Sequence, residues 1–160
     1  MSNQENLSTN NLHILEVCCK IEEGCSQLYH YLSLLFKDDP KVSALWDKTA
    51  KEEDNHAEQF RFACRTKGRG IEILKIDTQK ADTILSRIQS IYDAVKKTPP
   101  TIKDALDIAI RLEQGMADYH MYAVAIFKDE NMEQLFKAMM RYDNQHIEML
   151  EKALVELSHA

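Results

Sequence analysis

Ile14, Cys18, Ile21, Cys25, Leu28, Leu32 and Leu35 recur at intervals of four and three between Asn11 and Lys37. That spacing keeps one apolar stripe on a single side of an α-helix. Such a helix must find other helices to cover its stripe, so it sets the class of fold. Asp38-Asp39-Pro40 supplies a cap residue followed by proline at a first helical position, which predicts a second helix from there to about Lys67, stopped by Gly68 and Gly70. The two helices form an antiparallel hairpin. Beyond Pro99-Pro100, Thr101 with Asp104 three residues on resembles a capping box and predicts a third helix to about Lys128. Asp129 to Asn131 forms the next turn, and a fourth helix reaches about Leu157.

Residues 65–100 are too many for a plain loop in a compact domain. Ile84, Leu85, Ile88, Ile91, Tyr92 and Val95 have helical spacing within that crossover, so it contains one shorter extra helix. The expected architecture is an all-α four-helix bundle with a long crossover. It forms a single domain over residues 11–160, after a disordered segment at residues 1–10. Only four glycines and three prolines leave little turn chemistry for a many-stranded sandwich or barrel.

The net charge of −6, with no basic block, argues against a nucleic-acid partner. No stretch approaches bilayer-spanning length and the polar start has no basic, then apolar, leader pattern, so the expectation is a cytoplasmic protein without a membrane partner. Cys18, Cys19, Cys25 and Cys64 contain no Cys-x-x-Cys pair. They encode neither a zinc ribbon nor a rubredoxin-type iron site, and suit a reducing compartment as small buried apolar residues.

The second hairpin is a faded copy of the first. An offset of 91 carries Glu22-Glu23-Gly24 onto Glu113-Gln114-Gly115, Tyr31 onto Tyr122, and Phe36-Lys37-Asp38 onto Phe127-Lys128-Asp129. The second turn is one residue shorter, and past it an offset of 90 carries Trp46 onto Phe136, Glu53 onto Asp143, His56 onto His146 and Ala63 onto Ala153. Each half therefore offers a lone carboxylate on its first helix and a carboxylate-x-x-His on its second. Random placement would yield about one such spacing in a chain of this composition, and the sequence holds three. Glu156 with His159 lies off the inward stripe at the terminus. The other two interrupt apolar seams: Val42, Trp46, Thr49, Glu53, His56, Phe60 and Ala63 on helix two, and Met132, Phe136, Met139, Asp143, His146, Leu150 and Ala153 on helix four. On helix one, Glu22 lies beside the main stripe with Leu15, Tyr29 and Phe36, whereas Glu23 shares an outer face with Glu16, His30 and Lys37. Glu113 lies on the third seam with Leu106, Ala109, Met116, His120, Ala123 and Phe127.

Four carboxylates and two imidazoles thus approach a common level. Withdrawing ionised carboxylates from water costs several kcal/mol each, and gathering four adds mutual repulsion. A proton-sharing network or access of water would relieve this. Two divalent cations answer the charge directly, and carboxylate oxygen with imidazole nitrogen suits Fe or Mn.

On these residues the chain resembles the ferritin-like di-iron carboxylate proteins, most closely the rubrerythrin branch, across nearly all of residues 11–157. Bundles of this class place a Glu on each of two helices and a Glu-x-x-His on each of the others. Glu22 followed by Tyr29-His30-Tyr31 resembles the rubrerythrin ligand Glu before Tyr-x-Tyr, and Glu52-Glu53-Asp54-Asn55-His56-Ala57 resembles the second-helix ligand motif. The resemblance implies that Glu53 and Asp143 bridge two Fe ions (Mn or Zn as alternatives), that Glu22 and Glu113 are terminal ligands, and that His56 and His146 each hold one ion. No catalytic residue beyond these ligands is implied. Met116 stands where rubrerythrins carry a second Glu, Asp143 replaces the usual Glu, and the rubredoxin-like cysteines are absent from this sequence. Tyr29 and Tyr119 are candidates to hydrogen-bond ligand carboxylates and orient them. His120, two helical turns beyond Glu113, or about 10 Å along the axis, is expected as a hydrogen-bonded residue beside the centre rather than a ligand.

The expected function is that of a non-haem di-iron oxidoreductase using Fe(II) to reduce peroxide or dioxygen, with electrons from a separate donor protein or small molecule. The alternative is a helical bundle that binds or handles metal without turnover, and a third reading is a metal-free interaction domain. A homodimer is the expected assembly.

Overall fold

The computed structural model describes residues 7–139 and 146–158, with the side chains at 118, 122, 123, 146 and 158 outside that description. α1 spans Thr9–Leu35, with the Ser8 hydroxyl accepting from the Asn11 N–H at 3.2 Å. After a three-residue turn, Asp39 caps α2, Pro40–Arg65, by accepting the Val42 N–H at 3.1 Å, and Pro40 sits at the first helical position. α2 ends where Lys67 and Gly68 take positive φ and the Gly68 N–H returns to the Ala63 carbonyl at 2.8 Å. This closure satisfies a carbonyl that the helix end would leave open. α1 packs along α2 in the most extensive helix–helix interface among the described residues. Tyr29, Trp46 and Phe60 are fully buried between the hairpin and its neighbours.

The crossover holds more structure than expected. A short strand β1, Ile71–Leu74, precedes α3, Thr78–Lys97, whose cap Asp77 accepts the Lys80 N–H at 2.7 Å. α3 packs on α1 through Ala81, Ile88 and Val95, which recur every seven residues. The contact is close at Gly24, where an added Cβ would come within 2.9 Å of Ile88 Cγ2. With 20 residues, α3 is longer than the 15-residue α4 and is no minor appendage.

α4, Ile102–Met116, opens as expected, with Thr101 accepting the Asp104 N–H at 3.1 Å. It does not continue to Lys128. The chain passes through a 3-10 turn at Ala117–Tyr119, the four-residue α5 at Met121–Val124 and the strand β2 at Ala125–Phe127. β2 pairs antiparallel with β1, Ile73 opposite Ile126 and Leu74 opposite Ala125, with an irregularity between Ile71 and Ile73. Val124, Ile126 and Phe127 are β-branched or aromatic types that pay a helical penalty and fit a pleated strand. The crossover strand supplies them with backbone partners. Two further bonds tie the ribbon's ends, Lys75 N–H to the Val124 carbonyl and Lys128 N–H to the Gly70 carbonyl, both at 2.7 Å.

The fourth helical region comprises α6, Glu130–Met139, and α7, His146–Ser158, with α7 packed on α4. Asp143 lies outside the described residues. The whole is an all-α, ferritin-like bundle carrying one small β-ribbon.

Candidate metal centre

Glu22 comes from α1, Glu53 and His56 from α2, and Glu113 from α4, and each is at most 4% exposed. The sequence distinction between neighbouring acids holds. Glu22 faces inward, while Glu23 reaches the surface and accepts from Arg61 Nη2 at 2.8 Å. His56 Nδ1 lies 3.1 Å from Glu53 Oε2 and 3.5 Å from Glu22 Oε2, so one imidazole sits between two carboxylates from different helices. Tyr29, also fully buried, donates its phenol to Glu113 Oε1 at 2.5 Å while its ring stacks on Trp46 with centroids 5.7 Å apart. Tyr119 is half-buried in the 3-10 turn, and among the described residues no hydrogen bond joins it to these carboxylates.

His120 lies beside the cluster. α4 ends four residues earlier, and His120 itself takes extended backbone, φ −70° and ψ 150°. Its ring meets His56 edge-on with centroids 4.5 Å apart, and Nδ1 lies 4.0 Å from Glu22 Oε1. Ligand atoms of Glu22, His56 and His120 all fall within 4.8 Å of one another. The helix expected to reach about Lys128 would have included His120; it ends at Met116 instead, and the β-branched Val124 and Ile126 further on are types that a helix disfavours. The backbone of His146 opens α7, but its side chain, like Asp143, is outside the description.

Electrostatics mark the cluster as costly without a cation. Burial pushes the Glu22 carboxyl well above the usual carboxylate range; contact with His56 pulls it down and the Glu53 charge raises it again. Cys25, which periodicity placed among core residues, lies amid the same acids. Its thiol is pushed well up by burial first and then by Glu53, Glu22 and Glu113. Glu22 Oε1 is buried and accepts no hydrogen bond among the described residues. A buried carboxylate oxygen in this state costs energy unless a proton or metal ion engages it. Hard oxygen and borderline nitrogen donors on three elements therefore fit a divalent transition metal.

A helical bundle with a buried carboxylate and imidazole cluster on facing helices defines a class of metal-binding protein. Within that class, the rubrerythrin family model matches residues 13–154, and the chain belongs to the rubrerythrin family. Symerythrin of Cyanophora paradoxa is 28% identical over 123 residues, which is 74% of this chain and 66% of that protein. The chain thus spans just under two thirds of this relative's length. No solved structure matches it. No described helix is long and apolar enough to cross a membrane.

Proposed function

We propose that the protein is a non-haem di-iron oxidoreductase that reduces peroxide or dioxygen. The observation that carries this reading is the convergence of Glu22, Glu53 and Glu113 from three helices, buried, with His56 within 3.1 Å and 3.5 Å of two of them. Glu22, Glu53, Glu113 and Asp143 with His56 and His146 would hold two ions, Mn or Zn being the alternatives to Fe. Bound Fe(II) supplies the electrons, and the redox chemistry belongs to the metal rather than to the chain.

The chain's part is to fix the ligands and keep water out. The Tyr29 phenol holds one oxygen of Glu113 in place, and the Tyr29–Trp46 stack closes the core beside it. Burial pushes the Glu22 carboxyl up beside Glu53 and His56, so the proton it favours would be displaced by an entering cation. Reduction of one peroxide consumes two electrons and two protons and yields two waters, so a donor protein or small molecule must restore the electrons. A homodimer in a reducing, cytoplasmic setting completes the reading; all four cysteines are free thiols.

A second reading, metal binding without turnover, is favoured by one observation. Met116, buried at 3% exposure, brings a thioether where rubrerythrins carry an additional carboxylate. Anaerobic loading with Fe(II), followed by measured additions of peroxide, separates the two. Catalytic peroxide loss sustained by an added reductant supports the oxidoreductase. Bound iron with no peroxide loss beyond the control leaves a metal-handling bundle.

A further inference from the structure

We infer that His120 is itself a metal ligand, completing with Glu22 and His56 a set of two imidazoles and one carboxylate for one ion of the centre. The inference rests on the metal-centre reading above and adds a residue from outside the repeated carboxylate-x-x-His pattern.

Three observations carry it. The first is distance. Nδ1 of His120 lies 4.0 Å from Glu22 Oε1, too far for a hydrogen bond. Two coordination bonds of about 2.1 Å each reach at most roughly 4.2 Å, so one ion can touch both donors. The second is the division of Glu22's oxygens. Oε2 faces His56 Nδ1 at 3.5 Å and Oε1 faces His120, and Oε1 is the buried oxygen that accepts no hydrogen bond among the described residues.

The third is the repeat. The offset that carries Glu22 onto Glu113 carries Tyr29 onto His120. Each of these residues addresses the first-helix carboxylate of the opposite half: Tyr29 donates to Glu113, and His120 faces Glu22. The chemistry at the two positions differs. A phenol meets its carboxylate at hydrogen-bonding distance, whereas an imidazole stands back by the width of an ion and brings a nitrogen suited to one. Tyr29 reaches its carboxylate from the unbroken α1, whereas His120 reaches its own from extended backbone beyond the end of α4 at Met116. Beside the carboxylates expected to bridge the ions, two imidazoles and a carboxylate would form a nitrogen and oxygen donor set suited to Fe(II).

The test is titration of the metal-free full chain with Co(II), reading stoichiometry, affinity and visible ligand-field absorption. Wild type is compared with His120→Tyr, which restores the phenol of the other half, and with His30→Ala as an outer-face control. The inference predicts that His120→Tyr loses one equivalent, or loses affinity beyond the roughly 100-fold that removal of a merely orienting partner costs, with a changed spectrum. His120→Tyr binding Co(II) with wild-type stoichiometry, affinity and spectrum would overturn it and leave the metal centre intact. Wild type binding no Co(II) would overturn the metal-centre reading, and this inference with it. His120→Cys guards against a folding artefact. With far-ultraviolet circular dichroism unchanged, a new thiolate-to-Co(II) charge-transfer band absent from wild type supports ligation, and no new band contradicts it.

Discussion

The two halves of the chain are copies in sequence and differ in backbone. In the first, α1 and α2 run 27 and 26 residues without interruption. In the second, α4 stops after 15, and a turn, a four-residue helix and a strand take over. Residues 31–36 of the first half, Tyr-Leu-Ser-Leu-Leu-Phe, are rich in leucine, which loses little rotamer freedom in a helix. Their counterparts at 122–127, Tyr-Ala-Val-Ala-Ile-Phe, include β-branched residues that do. A repeated ligand pattern can therefore survive while the scaffold beneath it changes its secondary structure. The halves also differ in side-chain chemistry, the second setting the His120 imidazole beside the opposite carboxylate where the first sets the Tyr29 phenol.

The largest expected effects ask whether the halves are equally packed. Trp46 and Phe136 occupy the same repeat position and both are fully buried, so Trp46→Ala and Phe136→Ala should each cost about 3–5 kcal/mol in urea unfolding. A near-neutral Phe136→Ala would show that the second half is held loosely and break the equivalence. Next is Tyr29→Phe, which keeps the stack on Trp46 but removes the phenol donor from Glu113. It should cost about 1–3 kcal/mol in the metal-free protein. An unchanged unfolding midpoint would mean that the Glu113 contact contributes nothing to the fold.

The paired glycines should respond with opposite signs. Gly24 sits against Ile88 of α3, so Gly24→Ala overpacks the contact and should destabilise by about 1 kcal/mol or more. Gly115 has nothing within 4 Å of an added Cβ. Gly115→Ala should stabilise by about 0.4–1 kcal/mol by reducing unfolded-state entropy and favouring α4. Equal signs in thermal unfolding would remove this distinction between the halves. The smallest effect belongs to the surface of the first hairpin. Arg65, then Arg61, holds the Glu58 carboxyl below its usual range. Its contribution to stability is thus complete above the ordinary carboxylate pKa and disappears as pH falls through the depressed value. Because the Glu58 side chain is half-exposed, Glu58→Gln should change stability by less than about 1 kcal/mol, and high salt should erase the difference.

Much of the site was legible because burial imposes a period. The seam carrying Glu53 and His56 between Trp46 and Phe60, and the one-step offset between Glu22 and Glu23, follow from helical geometry alone, as do the caps at Asp39 and Thr101. The end of α4 at Met116 was not legible from that periodicity, since Glu113, Met116, His120 and Phe127 keep helical spacing through it. To the local cost of β-branched Val124 and Ile126 is added a nonlocal gain: Ile71–Leu74 provides a partner strand for Ala125–Phe127, a pairing across about fifty residues that helical periodicity does not register. His120 lies beyond that end, on extended backbone rather than on the expected helix.

The most direct test of the account is elemental analysis of the full chain purified without added metal, set beside Glu53→Ala and His56→Ala. The account predicts about two transition-metal ions per chain in the wild type, following the charge match between four carboxylates and two divalent cations, with sharply reduced content in both variants. A wild type that is fully helical yet contains no metal and takes up none on addition of Fe(II), Mn(II) or Zn(II) would contradict it.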